Sequence, residues 1–176
     1  CIASERNSFN QQIFRFNIEK SIGRDKVIEI VGDSRHSLEA LRDNFFDFIY
    51  VDGFHGKDIV LNDLKHAARL CKDGGIICGD DYDCPSNILD LVPPAAFQDD
   101  DWCGMHPGVV AAVDEILGPA KQFGSFWAFQ RHSDRFEPLD VTTLPRRIPH
   151  FIPAEGMIRR RFEDALTKNS GYPSGH

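Results

Sequence analysis

Hydrophobic and polar positions along the first 131 residues follow two periods, one typical of helices and the other of strands. Apolar residues recur at helical spacing in the segments 7–21, 57–70 and 108–117. Runs rich in β-branched or aromatic residues predict strands at 26–31, 46–51, 76–78 and 125–131. A short helix is predicted over 37–42. The alternation of strands with helices of this length predicts right-handed βαβ crossovers in a mostly parallel sheet, which defines the α/β class.

Two stretches lack a regular pattern. Residues 84–107 hold several prolines and the acidic run Asp99-Asp100-Asp101. A loop that covers a substrate is one interpretation of this segment, and disorder of its acidic middle is the other. Residues 136–176 form a Pro-rich extension with a short helix, beyond a domain that we expect to span residues 1–135. Because this extension could pack on a second subunit, a homo-oligomer is one expected state.

Composition narrows the classes of partner. The formal net charge of −7 argues against nucleic acid. No run approaches the ~18 apolar residues that a membrane-spanning helix needs, so no membrane partner is expected. The five cysteines form no CxxC pair. This favours reduced thiols in a cytoplasmic protein over a disulfide framework or a zinc site.

Acidic residues follow three of the predicted strands, at the point where each strand ends. Asp52 follows the apolar run FDFIYV, which predicts a strand covered on both faces. Asp80 and Asp81 follow the next strand along the chain, and Asp33 follows an earlier one. In a doubly wound sheet these ends meet at one edge, where ligands bind. Carboxylates are costly to place together unless a cation lies between them, and oxygen ligands suit Mg²⁺, Mn²⁺ or Ca²⁺. The alternative is that each aspartate caps a turn or helix.

Three sequence segments carry a family resemblance. The segments DFIYVDGFH, LCKDGGIICGDDY and GVVAAVDEIL resemble the class I S-adenosylmethionine-dependent methyltransferases. The closest branch is the metal-dependent O-methyltransferases, which include bacterial enzymes that modify small molecules and sugars. The resemblance spans about residues 16–131. It implies a Rossmann-like, doubly wound sheet with an antiparallel last strand. It also implies methyl transfer from S-adenosylmethionine to a hydroxyl of a small molecule, such as a sugar, a phenol or a natural-product precursor.

The resemblance assigns roles to the acidic residues. Asp52, Asp80 and Asp81 match the positions that hold Mg²⁺ or another hard divalent cation. Asp33 and Ser34 match the position that hydrogen-bonds the adenine ring of the cofactor, and Asp52 is expected to contact the cofactor as well. When bound, such a cation lowers the pKa of a substrate hydroxyl and aims its oxygen at the methyl group.

Two histidines are considered for the chemistry. His55 lies where the catechol branch of the family has a lysine that serves as general base. An imidazole can accept a proton near neutral pH, so His55 is the candidate catalytic base. A positioning or metal-adjacent role for His55 is the alternative. His106 is a weaker candidate for substrate contact, and a loop histidine without a role is the favoured interpretation.

The glycine-rich loop that follows the first strand in this family has no match before Asp33. Cys1-Ile2-Ala3 resembles the end of the second strand, and Glu5 is a candidate for the ribose hydroxyls. We therefore expect a sheet without its first strand and helix, in a chain that is part of a longer polypeptide. The alternative function is a noncatalytic interaction module on a partial or degenerate methyltransferase fold. A different metal enzyme on the same frame, such as an oxygenase or hydrolase, is a third hypothesis.

Overall fold

A computed structural model of the chain describes residues 2–3, 8–20, 24–121 and 123–140. The chain divides into two compact units, Cys1–Val141 and Thr142–His176. The expected boundary after residue 135 would cut through a strand that belongs to the first unit. The second unit lies outside the described residues, as does the helix predicted within it. Glu5 lies outside them too.

The helices are α1 (Ser8–Glu19), α2 (Ser34–Ser37), α3 (Lys57–Leu70) and α4 (Pro107–Ile116). The strands are β1 (Ile2–Ala3), β2 (Ile28–Glu29), β3 (Phe46–Val51), β4 (Cys71–Gly79), β5 (Trp127–His132) and β6 (Arg135–Pro138). Short 3₁₀ helices cover Arg24–Lys26, Ser86–Leu91 and Pro94–Gln98. No helix in the described ranges is both long and apolar enough to cross a membrane.

The strands form two sheets. β1 pairs with β2 in parallel, and the other four strands lie in the order β3-β4-β5-β6. β3 and β4 are parallel, whereas β5 is antiparallel to β4 and to β6. The predicted α/β, Rossmann-like class is confirmed. β6 was not predicted, because the segment RFEP contains a proline. In the structure this strand follows a turn at Ser133, whose φ is +58°.

The core lies between the long helices and the four-stranded sheet. Leu64 of α3 and Val110 of α4 are fully buried in one cluster with Ile77 of β4 and with Trp127 and Phe129 of β5. The i, i+4 spacing along α3 explains this burial, because it puts the apolar side chains on one helix face. The cysteines at 71, 78, 84 and 103 are free thiols, and the first three are buried.

Two local predictions were wrong. β3 has the predicted bounds, but Phe48 and Tyr50 are 60% and 47% exposed, so the strand is not covered on both faces in the described structure. Phe48 and Tyr50 are two residues apart, so they lie on the same face of the strand. α2 begins at Ser34 and not at residue 37, because Asp33 caps it. The Asp33 carboxylate accepts a hydrogen bond from the Arg35 amide at 3.0 Å.

The segment 84–107 is built from 3₁₀ turns that pack against the start of α4. Ala96 is buried within it. A Cβ on Gly108 would lie 2.6 Å from the Phe97 carbonyl oxygen and 2.7 Å from the Lys57 amide nitrogen. Contacts this short require glycine at the point where three chain segments meet.

Gly108→Ala should therefore lower the free energy of unfolding by ~1–3 kcal/mol, because backbone atoms have to move to admit the methyl group. Urea unfolding followed by circular dichroism measures the change. Gly53→Ala is the matched control, since its Cβ would meet no atom closer than 3.5 Å. Equal stability of the two variants would contradict the close packing at Gly108.

Candidate functional site

Two neighbouring strand ends position the acidic residues. Val51 is the last residue of β3 and lies opposite Gly79, the last residue of β4. Asp52 follows the first of these residues and Asp80 follows the second, so the parallel register brings them side by side. A Cβ on Gly79 would lie 2.6 Å from the Trp127 ring, so a glycine at this position lets the strand end approach β5.

Asp52, His55 and Asp81 form a cluster, hereafter the acid–histidine cluster. Each offers a ligand atom within 4.8 Å of the others. The His55 Nε2 atom lies 3.1 Å from Asp81 Oδ2. Side chains from two different strand ends therefore face one small volume, as expected from the sequence.

Asp100 orients the His55 ring. Its carbonyl oxygen lies 2.9 Å from His55 Nδ1, and its carboxylate accepts a hydrogen bond from the His55 amide at 3.1 Å. Because a carbonyl oxygen can only accept, Nδ1 carries the proton in this contact. Nε2 is then the atom that faces Asp81. This is the usual arrangement of a histidine that binds a metal or accepts a proton.

Asp80 is held differently from Asp52 and Asp81. Its carboxylate accepts hydrogen bonds from the Asp81 amide at 2.9 Å and from the Ser125 hydroxyl. Its backbone oxygen accepts from the Trp127 indole at 2.9 Å. Asp80 lines the same cavity as the acid–histidine cluster but is not among its three converging ligands.

The Asp81 carboxyl group lies where its ionised form is disfavoured. Burial raises the pKa of its carboxyl group above the ordinary value, and the nearby Asp80 and Asp52 carboxylates raise it further. The histidines His55 and His106 oppose this rise. The backbone of Asp81 is left-handed, with φ of +64°. The ionised form of Asp81 is thus disfavoured mainly by burial, and carboxylate repulsion adds to this effect.

A second group of possible ligands, which the sequence did not predict, lies beside the acid–histidine cluster. His106 Nδ1 lies 2.8 Å from Asp83 Oδ2, and the His106 amide donates to the other Asp83 oxygen at 2.9 Å. Asp81, Asp83 and His106 also offer ligand atoms within 4.8 Å of one another. The rings of His55 and His106 are 4.4 Å apart. The position of His106 just before α4 is the sequence signal that could have identified it. Its partner Asp83 could not be predicted, because an irregular segment separates the two residues.

Asp33 and Ser34 lie at the start of α2, which contacts α3. Asp33 forms an ion pair with Arg35 at 2.6 Å in addition to capping α2. Burial raises the pKa of the Asp63 carboxyl group on α3, and Ser34 is among the groups that oppose this rise. Neither residue lines the cavity of the acid–histidine cluster, whereas Asp63 does.

The raised pKa of Asp81 predicts a pH dependence of stability. The folded state binds this proton more tightly than the unfolded state, so the free energy of unfolding falls as pH rises through the folded pKa. Asp81→Asn should remove this fall and stabilise the protein at pH 7 by about 1 kcal/mol or less.

Urea unfolding between pH 4 and pH 7, with a chelator present, measures the effect. Asp90→Asn is the control, because Asp90 is exposed. A fall in Asp81→Asn as steep as that in the natural sequence would contradict the argument.

Comparison with known proteins identifies a family that part of the chain matches and solved structures that have a similar fold. Residues 1–82 match the family described as a methyltransferase domain. A search of curated proteins gave no match. A crystal structure described as that of a putative O-methyltransferase from Klebsiella pneumoniae is similar, with a TM-score of 0.50 and 22% identity over 66% of this chain and 49% of that one.

The O-methyltransferase from Bacillus cereus, solved in complex with SAH, matches with a TM-score of 0.47 and 23% identity over 65% of this chain and 47% of that one. The chain thus spans about half the length of these solved structures. The resemblance predicted from the DGFH and GDDY motifs is confirmed, since residues 1–82 are similar to the methyltransferase-domain family.

Proposed function

We propose that the protein transfers a methyl group from S-adenosylmethionine to a hydroxyl of a small molecule, assisted by a divalent cation. The observation that supports this most directly is the acid–histidine cluster at the paired ends of β3 and β4. It lies within the segment that matches a methyltransferase domain, on a fold similar to a structure described as a putative O-methyltransferase. A sugar, a phenol or a natural-product precursor are the acceptor classes that we infer.

The cluster fits a divalent cation. It offers two carboxylates, from Asp52 and Asp81, whose oxygens lie within 4.8 Å of each other and of His55. Mg²⁺ and Mn²⁺ prefer carboxylate oxygens, which leaves the His55 imidazole for another role. Asp52 and Asp81 would hold the cation, with Asp80 beside them as the third carboxylate. A cation would also favour the ionised form of Asp81, whose pKa is raised by burial and, to a smaller extent, by the neighbouring carboxylates.

The turn at Asp33 and Ser34 fits the adenine end of the cofactor. Asp33 accepts two hydrogen bonds from the Arg35 side chain, at 3.0 and 2.6 Å, and one from its amide. The family resemblance assigns the adenine ring to this position, and we infer that role for Asp33 and Ser34. When bound, S-adenosylmethionine supplies a methyl group on a positively charged sulfur.

His55 is the proposed base. The acceptor oxygen forms a bond to the methyl carbon as the carbon–sulfur bond breaks, and the hydroxyl proton passes to His55 Nε2. The products are the methyl ether and S-adenosylhomocysteine. A divalent cation, when bound, lowers the pKa of the hydroxyl. Asp100 contributes by keeping Nδ1 protonated, so that Nε2 is the accepting atom.

The function is tested with the full-length protein. We expect it to bind S-adenosylhomocysteine in titration calorimetry and to transfer labelled methyl groups to phenols or sugars in the presence of Mn²⁺. Asp52→Asn should weaken Mn²⁺ binding by more than about 100-fold, because it removes a charged ligand, and should abolish transfer. Asp90→Asn is the control, and its binding should not change. A full-length protein that binds no S-adenosylhomocysteine would refute the proposed function.

His55→Gln distinguishes a base from a metal ligand. If His55 is the base, kcat falls by about 10²–10⁴-fold while Mn²⁺ affinity stays within about threefold of the natural protein. Steady-state kinetics and Mn²⁺ titration measure the two quantities on the same preparation. A loss of Mn²⁺ affinity as large as that of Asp52→Asn would make His55 a ligand and would contradict the proposed role.

A further inference from the structure

We propose that His106 is a positioning residue that fixes the plane of the His55 ring, an inference that rests on the proposed function. The two rings are in contact, with their centroids 4.4 Å apart and their planes at 68° to each other. Aromatic rings prefer an edge-to-face arrangement of this kind. His106 therefore touches the proposed base without being one of the three ligands of the acid–histidine cluster.

The contact with Asp100 fixes which nitrogen of His55 faces Asp81, but it does not fix the plane of the ring. Both oxygens that Asp100 offers lie near the same atom, Nδ1, at 2.9 Å for the carbonyl and 3.2 Å for the carboxylate. At the other nitrogen, Nε2 lies 3.1 Å from Asp81 Oδ2. With the proton on Nδ1, both of these atoms are acceptors, so no hydrogen bond joins them. The ring plane therefore needs a support of another kind.

His106 is itself held by one carboxylate at two points. Its Nδ1 atom lies 2.8 Å from Asp83 Oδ2, and its amide donates to the other Asp83 oxygen at 2.9 Å. Because a carboxylate oxygen accepts, Nδ1 of His106 carries a proton in this contact. Only 16% of the His106 side chain is exposed. Asp83 thus fixes both the backbone and the ring of His106.

The chain on both sides of His106 adds to this support. Before it, Trp102 and Met105 exchange two backbone hydrogen bonds, at 2.9 and 3.0 Å, which close a tight turn. After it, the His106 carbonyl oxygen accepts a hydrogen bond from the Val109 amide at 3.0 Å, in the first turn of α4. The tight turn also joins His106 to Asp100, so both supports of the proposed base come from one short piece of chain.

The plane of the His55 ring matters for proton transfer. The lone pair of Nε2 lies in the ring plane, so a tilt of the ring moves it away from the proton that it accepts. Such a tilt lowers kcat and leaves the binding of the acceptor and of a cation unchanged. His106 acts through His55 in this role and does not contact the substrate.

Two substitutions in the full-length protein separate the ring of His106 from its hydrogen bond. His106→Phe keeps an aromatic ring beside His55 but has no ring nitrogen, whereas His106→Asn keeps a side-chain donor but has no ring. We expect kcat to fall by about tenfold in His106→Asn, the size expected for one aromatic pair, and by less than about threefold in His106→Phe. KM and Mn²⁺ affinity should stay within about twofold in both variants.

His132→Phe and His132→Asn are the matched controls, because they make the same changes at a histidine of β5 whose side chain is 50% exposed. Neither control should alter kcat. Steady-state kinetics and Mn²⁺ titration measure the three quantities on the same preparations.

Nuclear magnetic resonance of the histidine rings gives a readout other than activity. With a chelator present, and at a pH where imidazoles are neutral, His55 should show one tautomer, with the proton on Nδ1. Its ring signals should broaden or split in His106→Asn and should stay those of one tautomer in His106→Phe. His55→Gln assigns the signals. If neither variant of His106 folds, Asp83→Ala decides, since it removes the two bonds that hold His106 and should reproduce the changes expected of His106→Asn.

The outcomes distinguish this role from the others that His106 could have. A fall of kcat in His106→Phe as large as that in His106→Asn would overturn the inference, because it would show that His106 acts through its nitrogen atoms. A loss of Mn²⁺ affinity of about tenfold or more in both variants would make His106 a cation ligand with Asp81 and Asp83, and would overturn it too. Unchanged kcat and unchanged His55 signals in His106→Asn would show that the ring contact has no use in the site.

Failure of the proposed function has a different signature. If the natural protein transfers no methyl group, the proposed function fails. The His55 ring signals alone then decide whether His106 orients that ring: broadening in His106→Asn but not in His106→Phe supports the contact, and equal spectra overturn it.

Discussion

The parallel pairing of β3 with β4 is the constraint on which the site depends. Val51 and Gly79 are the last residues of the two strands and lie opposite each other. The residues that follow them are therefore brought close together. The fold keeps the pairing because Ile77 and Trp127 are fully buried beneath it. The core thus holds these carboxylates close together, and burial, with a smaller contribution from the neighbouring carboxylates, raises the pKa of Asp81.

The second constraint is the path of residues 84–107, which bring the chain back to the site. Asp100 of this segment lies beside the His55 ring, and His106 near its end lies beside Asp83. The close approach of Gly108 to the Phe97 carbonyl anchors the segment at the start of α4. The orientation of His55 therefore depends on residues that are distant in sequence, and the Nε2 atom faces Asp81 only because Asp100 occupies the other ring nitrogen.

The sequence predicts the elements whose patterns are local. β3 and α3 have the predicted bounds, because a continuous apolar run and a regular i, i+4 stripe are properties of the segment itself. The convergence of Asp52 and Asp81 follows from two strand ends and one parallel pairing. The contacts of Asp100 and His106 could not be predicted, since they depend on the path of an irregular segment. Asp63 was missed because a polar residue in an amphipathic helix is usually exposed.

α3 connects all the parts of the site. Its first residue, Lys57, forms an ion pair with Glu115 of α4 at 2.9 Å. Its middle carries Asp63, and its last turn carries Arg69. Arg69 donates hydrogen bonds to the Leu38 and Leu41 carbonyl oxygens of the chain that follows α2. His55 lies two residues before the start of α3. A rigid helix is suited to this task because its contacts cannot shift independently. A change in the position of α3 would therefore move the His55 loop and the chain that follows α2 together.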